Sequence, residues 1–242
     1  MAISVTSLSD TFHRSRRLAV ALAASLVAAL LIGGVTLSRS WLFDVRTVDV
    51  TGTSHLTSAT VEDLAAIADG TSVWWLDEGA VEERLERHPW IADAVVSASF
   101  PRSVSIRIQE REPVGVLASP TRPSLLADDG TVLGAASAEA AAGLPVIVAL
   151  GSPDGSAAGA AEVVASMPRR LAARLDRVEI LADGGLELLL EGDVRVRYGH
   201  ATGEDVKAST ILRLLAWSAT QGRAVATLNV MAPGLPTLTY RD

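Results

Sequence analysis

The side chains with the chemistry for catalysis or metal binding are few in this chain and far apart. His13, His55, His88 and His200 fall in four separate stretches, and none has a metal-ligand spacing such as His-x3-His. Two acidic pairs have the composition for general acid–base work, Asp128-Asp129 and Glu110/Glu112. Asp129 is better read as part of an Asp-Gly turn. Glu110 and Glu112 read as strand-end carboxylates, solvated or paired with Arg102 and Arg111. The chain has no cysteine, so it has no disulfide, thiolate metal site or acylated cysteine anchor. Neither a Gly-x-Ser-x-Gly elbow nor a P-loop is present. These residues point away from an enzyme, a cofactor, a metal centre and a small-molecule substrate.

What the chain does carry is an apolar run. Residues 18–37, LAVALAASLVAALLIGGVTL, are free of charge, and Arg14, Arg16 and Arg17 stand directly before them. A helix of this length spans about 30 Å, the thickness of a bilayer's hydrocarbon core. The expectation is a retained single-pass anchor with residues 1–17 in the cytoplasm and the rest outside it. The alternative is a cleaved signal peptide, but an apolar signal core runs about 7–15 residues, and this run is longer. Trp41 and Phe43 fit a membrane-interface belt, and Phe43 fits equally as the start of the next domain's core.

Charge excludes further classes. The formal net charge is −7, and the tail through Arg17 holds three arginines against one aspartate, leaving the remainder at −9. An acidic surface of that size argues against nucleic acid or anionic lipid as a ligand. Of the 21 basic residues, Lys207 is the only lysine, and it is expected on a helix surface.

The pattern beyond the anchor divides in two. Over residues 43–112, Thr47–Val50 reads as a strand ending at Gly52, and Thr57 caps a helix with Val61, Leu64 and Ala68 on its apolar face. Asp77 starts a second helix carrying Val81 and Leu85, and His88-Pro89 ends it. Ala94, Val96, Ala98 and Phe100 then alternate, Pro101 turns the chain, and Val104, Ile106 and Ile108 alternate again. The order is strand, helix, helix, strand, strand. Residues 113–242 read as short strands, with an exposed loop at 151–160, a helical stretch at 161–175 and a helix over 204–220. The last strand is expected over Leu235–Tyr240. The fold class is therefore α+β, with Trp90 burying a large apolar area. Trp74-Trp75 is expected to place one indole in a core and leave the other as an exposed partner anchor.

Three stretches carry a resemblance: FDVRTVDVTGTSHLT, HPWIADAVVSASFPRSVSIRIQEREPVGVL and LLADDGTVL, with VRVRYG and LNVMAPGLPT further on. In order, spacing and topology they resemble the FtsQ/DivIB family of bacterial cell-division proteins. Its motif is carried here by Gly52, Pro89, Trp90, Pro101, Glu110 and Pro113, all expected to be structural. The chain departs from the family at Asn229, often an aspartate, and at Met231, near which a basic residue is common. The resemblance implies a POTRA domain followed by a β-rich domain whose C-terminal strand is an edge. It also implies a divisome scaffold in the cell membrane, enriched at the septum. Its implied partners are FtsB/DivIC-like and FtsL-like proteins, bound through Leu235, Thr237, Leu238, Thr239 and Tyr240, with an effect on septal peptidoglycan synthesis. The alternative is a POTRA-type polypeptide-binding or transport component. Relatives of that kind continue into an outer-membrane barrel, for which this chain is expected to have no room.

Overall fold

The computed structural model describes residues 22–36, 41–150 and 156–241. Residues 22–36 form helix α1, exposed along its whole length. Among the described residues no helix is long and apolar enough to cross a membrane. The cytoplasmic tail expected at 1–17, and both ends of the expected span, 18–21 and Leu37, lie outside the described residues. From residue 41 on, the chain divides between two compact units, one ending at Arg87 and resuming over Asp93–Gln109, the other combining His88–Ala92 with everything from Glu110.

The first unit has the expected order: β1 (Thr47–Thr51), α2 (Ser58–Ala65), α3 (Glu78–Glu86), β2 (Ile91–Ser99) and β3 (Ser103–Glu110). Its sheet runs β1-β3-β2, with β1 parallel to β3 in the register Val48 to Val104 and Val50 to Ile106. Val61, Ala65, Val81, Leu85, Ala94, Val96, Val104, Ile106 and Ile108 form its buried interior. Thr57 and Asp77 cap the two helices as expected, accepting the N–H groups of Thr60 and Ala80.

Gly52 is required where it stands. Its φ is +85°, and a Cβ there would lie 2.0 Å from the carbonyl oxygen of Ile108. Two expectations are corrected. Helix α2 stops at Ala65 because Ala66 turns left-handed, so Ala68 is exposed rather than on a buried face. Arg84 then takes the carbonyl of Ala65 with Nε and Nη2, at 3.1 and 2.7 Å. Phe100 does not continue the inward alternation of β2 but stands 56% exposed at the turn into β3.

The second unit is built on a nine-stranded sheet. Its strands are β4 (Pro113–Leu117), β5 (Ser124–Ala127), β6 (Val132–Ala135), β7 (Val146–Ala149), β8 (Leu175–Ile180), β9 (Leu186–Leu190), β10 (Val194–Gly199), β11 (Val225–Asn229) and β12 (Thr237–Tyr240). They lie in the order β12-β11-β10-β9-β8-β7-β4-β5-β6. Neighbours β7 and β8 are parallel, and so are β10 and β11. Parallel neighbours need a crossover; these two are helical, whereas β4, also parallel to β7, connects to it through β5 and β6. Helices α4 (Ser156–Ser166) and α5 (Arg169–Ala172) link the first pair, and α6 (Glu204–Thr220) links the second. Helix α4 packs on β4, β7, β8 and α6, and α6 packs on β11. The core between them is aliphatic and includes Ala160, Val163, Leu171, Ile180, Leu188, Val196, Ile211 and Leu228.

The loop expected at 151–160 is corrected from residue 156 onward; residues 151–155 lie outside the described residues. Ala160 and Ala161 are fully buried. Small side chains are needed here, because a Cβ on Gly130 would come within 2.6 Å of the Cα of Ala158. Pro168 separates the two short helices.

Candidate functional site

The last strand, β12, lies at one edge of the nine-stranded sheet, antiparallel to β11. Thr237, Leu238 and Thr239 stand opposite Asn229, Leu228 and Thr227. Just past the strand, the N–H of Arg241 donates to the carbonyl of Ala224 at 2.9 Å. Backbone groups alternate in direction along a strand, so Thr239 and Thr237 also face β11, while Leu238 and Tyr240 turn their N–H and C=O outward. Outward groups of this kind are a template for another strand.

Side chains alternate across the same strand. Leu238 is half-buried against the aliphatic core, and Thr237 and Thr239 are exposed on the other face. Tyr240 is half-buried beneath Arg223, whose guanidinium carbon lies 3.5 Å from the ring centroid. Arg223 carried no sequence signal as a site residue. Leu235, expected within the strand, lies just before it, 83% exposed, with its N–H donated to Ala232 in a turn. The departure residue Asn229 faces Thr237 across the ladder, and its Oδ1 accepts the N–H of Met231 at 3.1 Å. The opposite edge, β6, is irregular: its pairing to β5 shifts register, and Gly134 holds φ at +132°.

Lys207 corrects its expectation as a surface residue. It is 3% exposed; its Nζ donates to the carbonyl of His200 at 2.8 Å and lies 4.6 Å from the centroid of the Tyr198 ring. Burial lowers the Lys207 pKa, partly countered by Glu204. Burial also pushes the Tyr198 hydroxyl well above its usual range, assisted by Glu204 and Asp205. The lysine thus fixes the β10–α6 connection from inside.

The motif residues fall into two groups. Trp90 is half-buried against the cluster of Val116, Leu125, Ala127 and Leu133, beside β4, where Pro113 opens the strand opposite Ala127. Arg111 ties this region together. Its Nε meets Asp129 Oδ2 at 2.7 Å, and its Nη1 donates to the carbonyls of Pro89 and Ile91. Asp129 also makes the expected turn, its Oδ1 accepting the N–H of Thr131 at 2.8 Å. Burial raises its pKa, but hydrogen bonds from Arg111 and Thr131 outweigh that and hold the carboxyl below its usual value. In the other group, Pro101 turns β2 into β3, and Glu110 ends β3. Trp74 and Trp75 are 55% and 59% exposed, so neither indole is a core residue. No group of three or more histidine, aspartate or glutamate residues among the described residues is placed to hold a metal.

Family models match two stretches of the chain. The model "POTRA domain, FtsQ-type" matches residues 43–111, and "Cell division protein FtsQ/DivIB, C-terminal" matches residues 117–228. The chain is 31% identical over 227 residues to "Cell division protein FtsQ" of Mycolicibacterium smegmatis, a match covering 92% of this chain and 66% of that protein. It is 30% identical over 232 residues to the FtsQ protein of Streptomyces bingchenggensis, covering 90% of this chain and 85% of that one. A shorter match, 38% identical over 72 residues, reaches "Cell division protein DivIB" of Geobacillus kaustophilus, covering 30% of this chain and 28% of that one. Thus the chain spans just under two thirds of the mycobacterial protein's length, and the matches to two other FtsQ proteins span 37% and 32% of theirs.

Proposed function

The chain belongs to the FtsQ/DivIB family of cell-division proteins, and on that premise we propose that it is a non-catalytic, single-pass scaffold of the division machinery. It captures an FtsB/DivIC-like partner, with its FtsL-like companion, at β12 and so helps control septal peptidoglycan synthesis. The observation that carries this is the edge position of β12, with the backbone of Leu238 and Tyr240 turned outward. An added strand would continue both faces of the sheet. Its apolar side chains would lie beside Leu238 and Tyr240, and its polar ones beside Thr237 and Thr239.

The membrane part of the proposal rests on α1. Its described residues are apolar or small, uncharged and exposed, and arginines precede the run in the sequence. On this reading residues 18–37 span the bilayer, residues 1–17 are cytoplasmic, and residues 43–112 and 113–242 are the two extracytoplasmic domains. A fluorescent fusion in dividing cells tests the whole. Midcell enrichment together with copurification of the FtsB/DivIC-like and FtsL-like proteins is expected. Uniform membrane staining with neither protein recovered would overturn the scaffold.

A further inference from the structure

The first unit leaves large apolar side chains outside its core, and three aromatic rings meet among the segments that carry them. Leu42, Trp74, Trp75 and Phe100 are 44%, 55%, 59% and 56% exposed. Phe43 lies edge-on to Trp74 and to Phe100, at centroid distances of 6.1 and 6.3 Å, and Trp74 and Phe100 are 4.5 Å apart. Three segments distant in sequence meet here: the turn Trp41–Phe43, the turn Val73–Trp75 and the turn between β2 and β3. The fold imposes the gathering. Asp44 bridges to Ser72, and the N–H of Val45 donates to Thr71, which fastens the first two segments together. Val73 is buried at 4% exposure, and the tight turn that follows directs both indoles outward.

We propose that this aromatic cluster docks into the headgroup layer of the bilayer that α1 crosses, an inference that rests on the single-span reading above. Contiguous exposed apolar surface marks an interaction site, and tryptophan partitions to membrane interfaces because an apolar ring carries a polar N–H. The tether decides between occupants. Phe43 follows the end of α1 by seven residues, and an extended chain covers at most about 3.5 Å per residue, so the cluster stays within about 25 Å of the helix end. The acidic charge of the chain beyond residue 17 supplies no attraction to anionic lipid. The docking is therefore driven by ring burial and is insensitive to salt. It gives the first unit a fixed face toward the membrane.

The absence of native cysteine makes the test clean. The full chain is reconstituted in phosphatidylcholine–phosphatidylglycerol vesicles as three single-cysteine variants, Trp75→Cys, Trp217→Cys and Ala28→Cys. Each carries an environment-sensitive fluorophore, and circular dichroism confirms that each is folded. The label at position 75 is expected to be quenched by shallow nitroxide lipids and shielded from aqueous iodide, at low and high salt alike. Iodide access at position 75 equal to that at position 217, with position 28 quenched by deep nitroxide, overturns the docking and leaves the span intact. Failure of quenching at position 28 overturns the span and the docking with it. Shielding at position 75 that lipid nitroxides do not reach, and that dilution abolishes, assigns the face to a second copy instead and overturns membrane docking.

Discussion

The carboxylate of Glu82 on α3 accepts the backbone N–H of Val96 on β2 at 2.8 Å. It is the middle member of a row. Glu86 accepts from Ala94 at 3.3 Å and Glu78 from Ala98 at 2.6 Å, so one helix face supplies acceptors at i, i+4 and i+8 to alternate amides of an edge strand. The outward N–H groups of β2 are thereby occupied from within the unit. At β12 the corresponding groups of Leu238 and Tyr240 point away from the sheet they belong to. One chain thus closes one sheet edge with its own side chains and presents another.

Removing the middle carboxylate should open β2 locally. Glu82→Ala in the full chain is expected to speed hydrogen exchange at the Val96 amide and to destabilise the first unit by about 1 kcal/mol. Glu82→Gln keeps an acceptor and should restore most of the protection. Unchanged exchange at Val96 in the alanine variant would mean that the row contributes nothing to holding the edge.

The Arg111–Asp129 pair gives a pH signature. Asp129 is held below the ordinary carboxylate value in the folded protein. Its contribution is therefore present above the unfolded value, about 4, and is lost as pH falls through the folded value. Asp129→Asn should unfold at a lower temperature than wild type near pH 7, and the gap should narrow below about pH 4. The side chain is 45% exposed, so screening limits the effect to about 1 kcal/mol or less. A gap that widens in acid would reverse the assignment.

How far the sequence carried the fold depends on whether a signal was local. Helix α6 is found where periodicity places it, Glu204–Thr220, because the helical spacing there is unbroken. The segment 156–160 reads as a loop from its Gly and Ala content. Alanine is in fact the strongest helix former, and only small residues fit where Gly130 approaches Ala158. Lys207 did carry a signal, since it precedes Ile211 and Leu215 at four-residue spacing on the buried face, but its charge masked it. The glutamate row was visible as spacing alone. What it caps could not be read, because the strand it meets lies eight to twenty residues away in sequence and its status as an edge belongs to the sheet. Pro236, just before β12, has no N–H to give to β11, which fits an outward-facing amide at the parity of Leu238 and Tyr240. The N–H of Arg241 donating to Ala224 agrees with that parity.

Arg223 should act on the candidate edge without belonging to the ladder. Its guanidinium covers the Tyr240 ring, and such contacts are worth about 0.5–1 kcal/mol at exposed sites. Arg223→Ala is expected to increase exchange at the Arg241 amide and to weaken partner capture severalfold, with global unfolding nearly unchanged. Arg223→Lys, which restores a point charge without the planar stack, should recover only part of the loss. Exchange at Arg241 identical to wild type in the alanine variant would show that the stack does not order the strand.

The strand-addition proposal is decided by two adjacent prolines. Leu238 turns its N–H away from β11, so Leu238→Pro deletes a bond that only an incoming strand would make. Thr239 turns its N–H toward β11, so Thr239→Pro deletes a bond of the domain itself and crowds the ladder. The first variant should lose the FtsB/DivIC-like partner in a pull-down while keeping a cooperative unfolding transition. The second should lower the unfolding temperature as well. Leu238 also packs against the core, so some loss of stability from shortening its side chain is expected in the first variant too. Leu238→Ala isolates that contribution, because it truncates the side chain and keeps the amide. If Leu238→Ala binds near wild type and Leu238→Pro does not, the outward N–H makes the contact. Wild-type binding by Leu238→Pro would remove strand addition at this edge as the mode of capture.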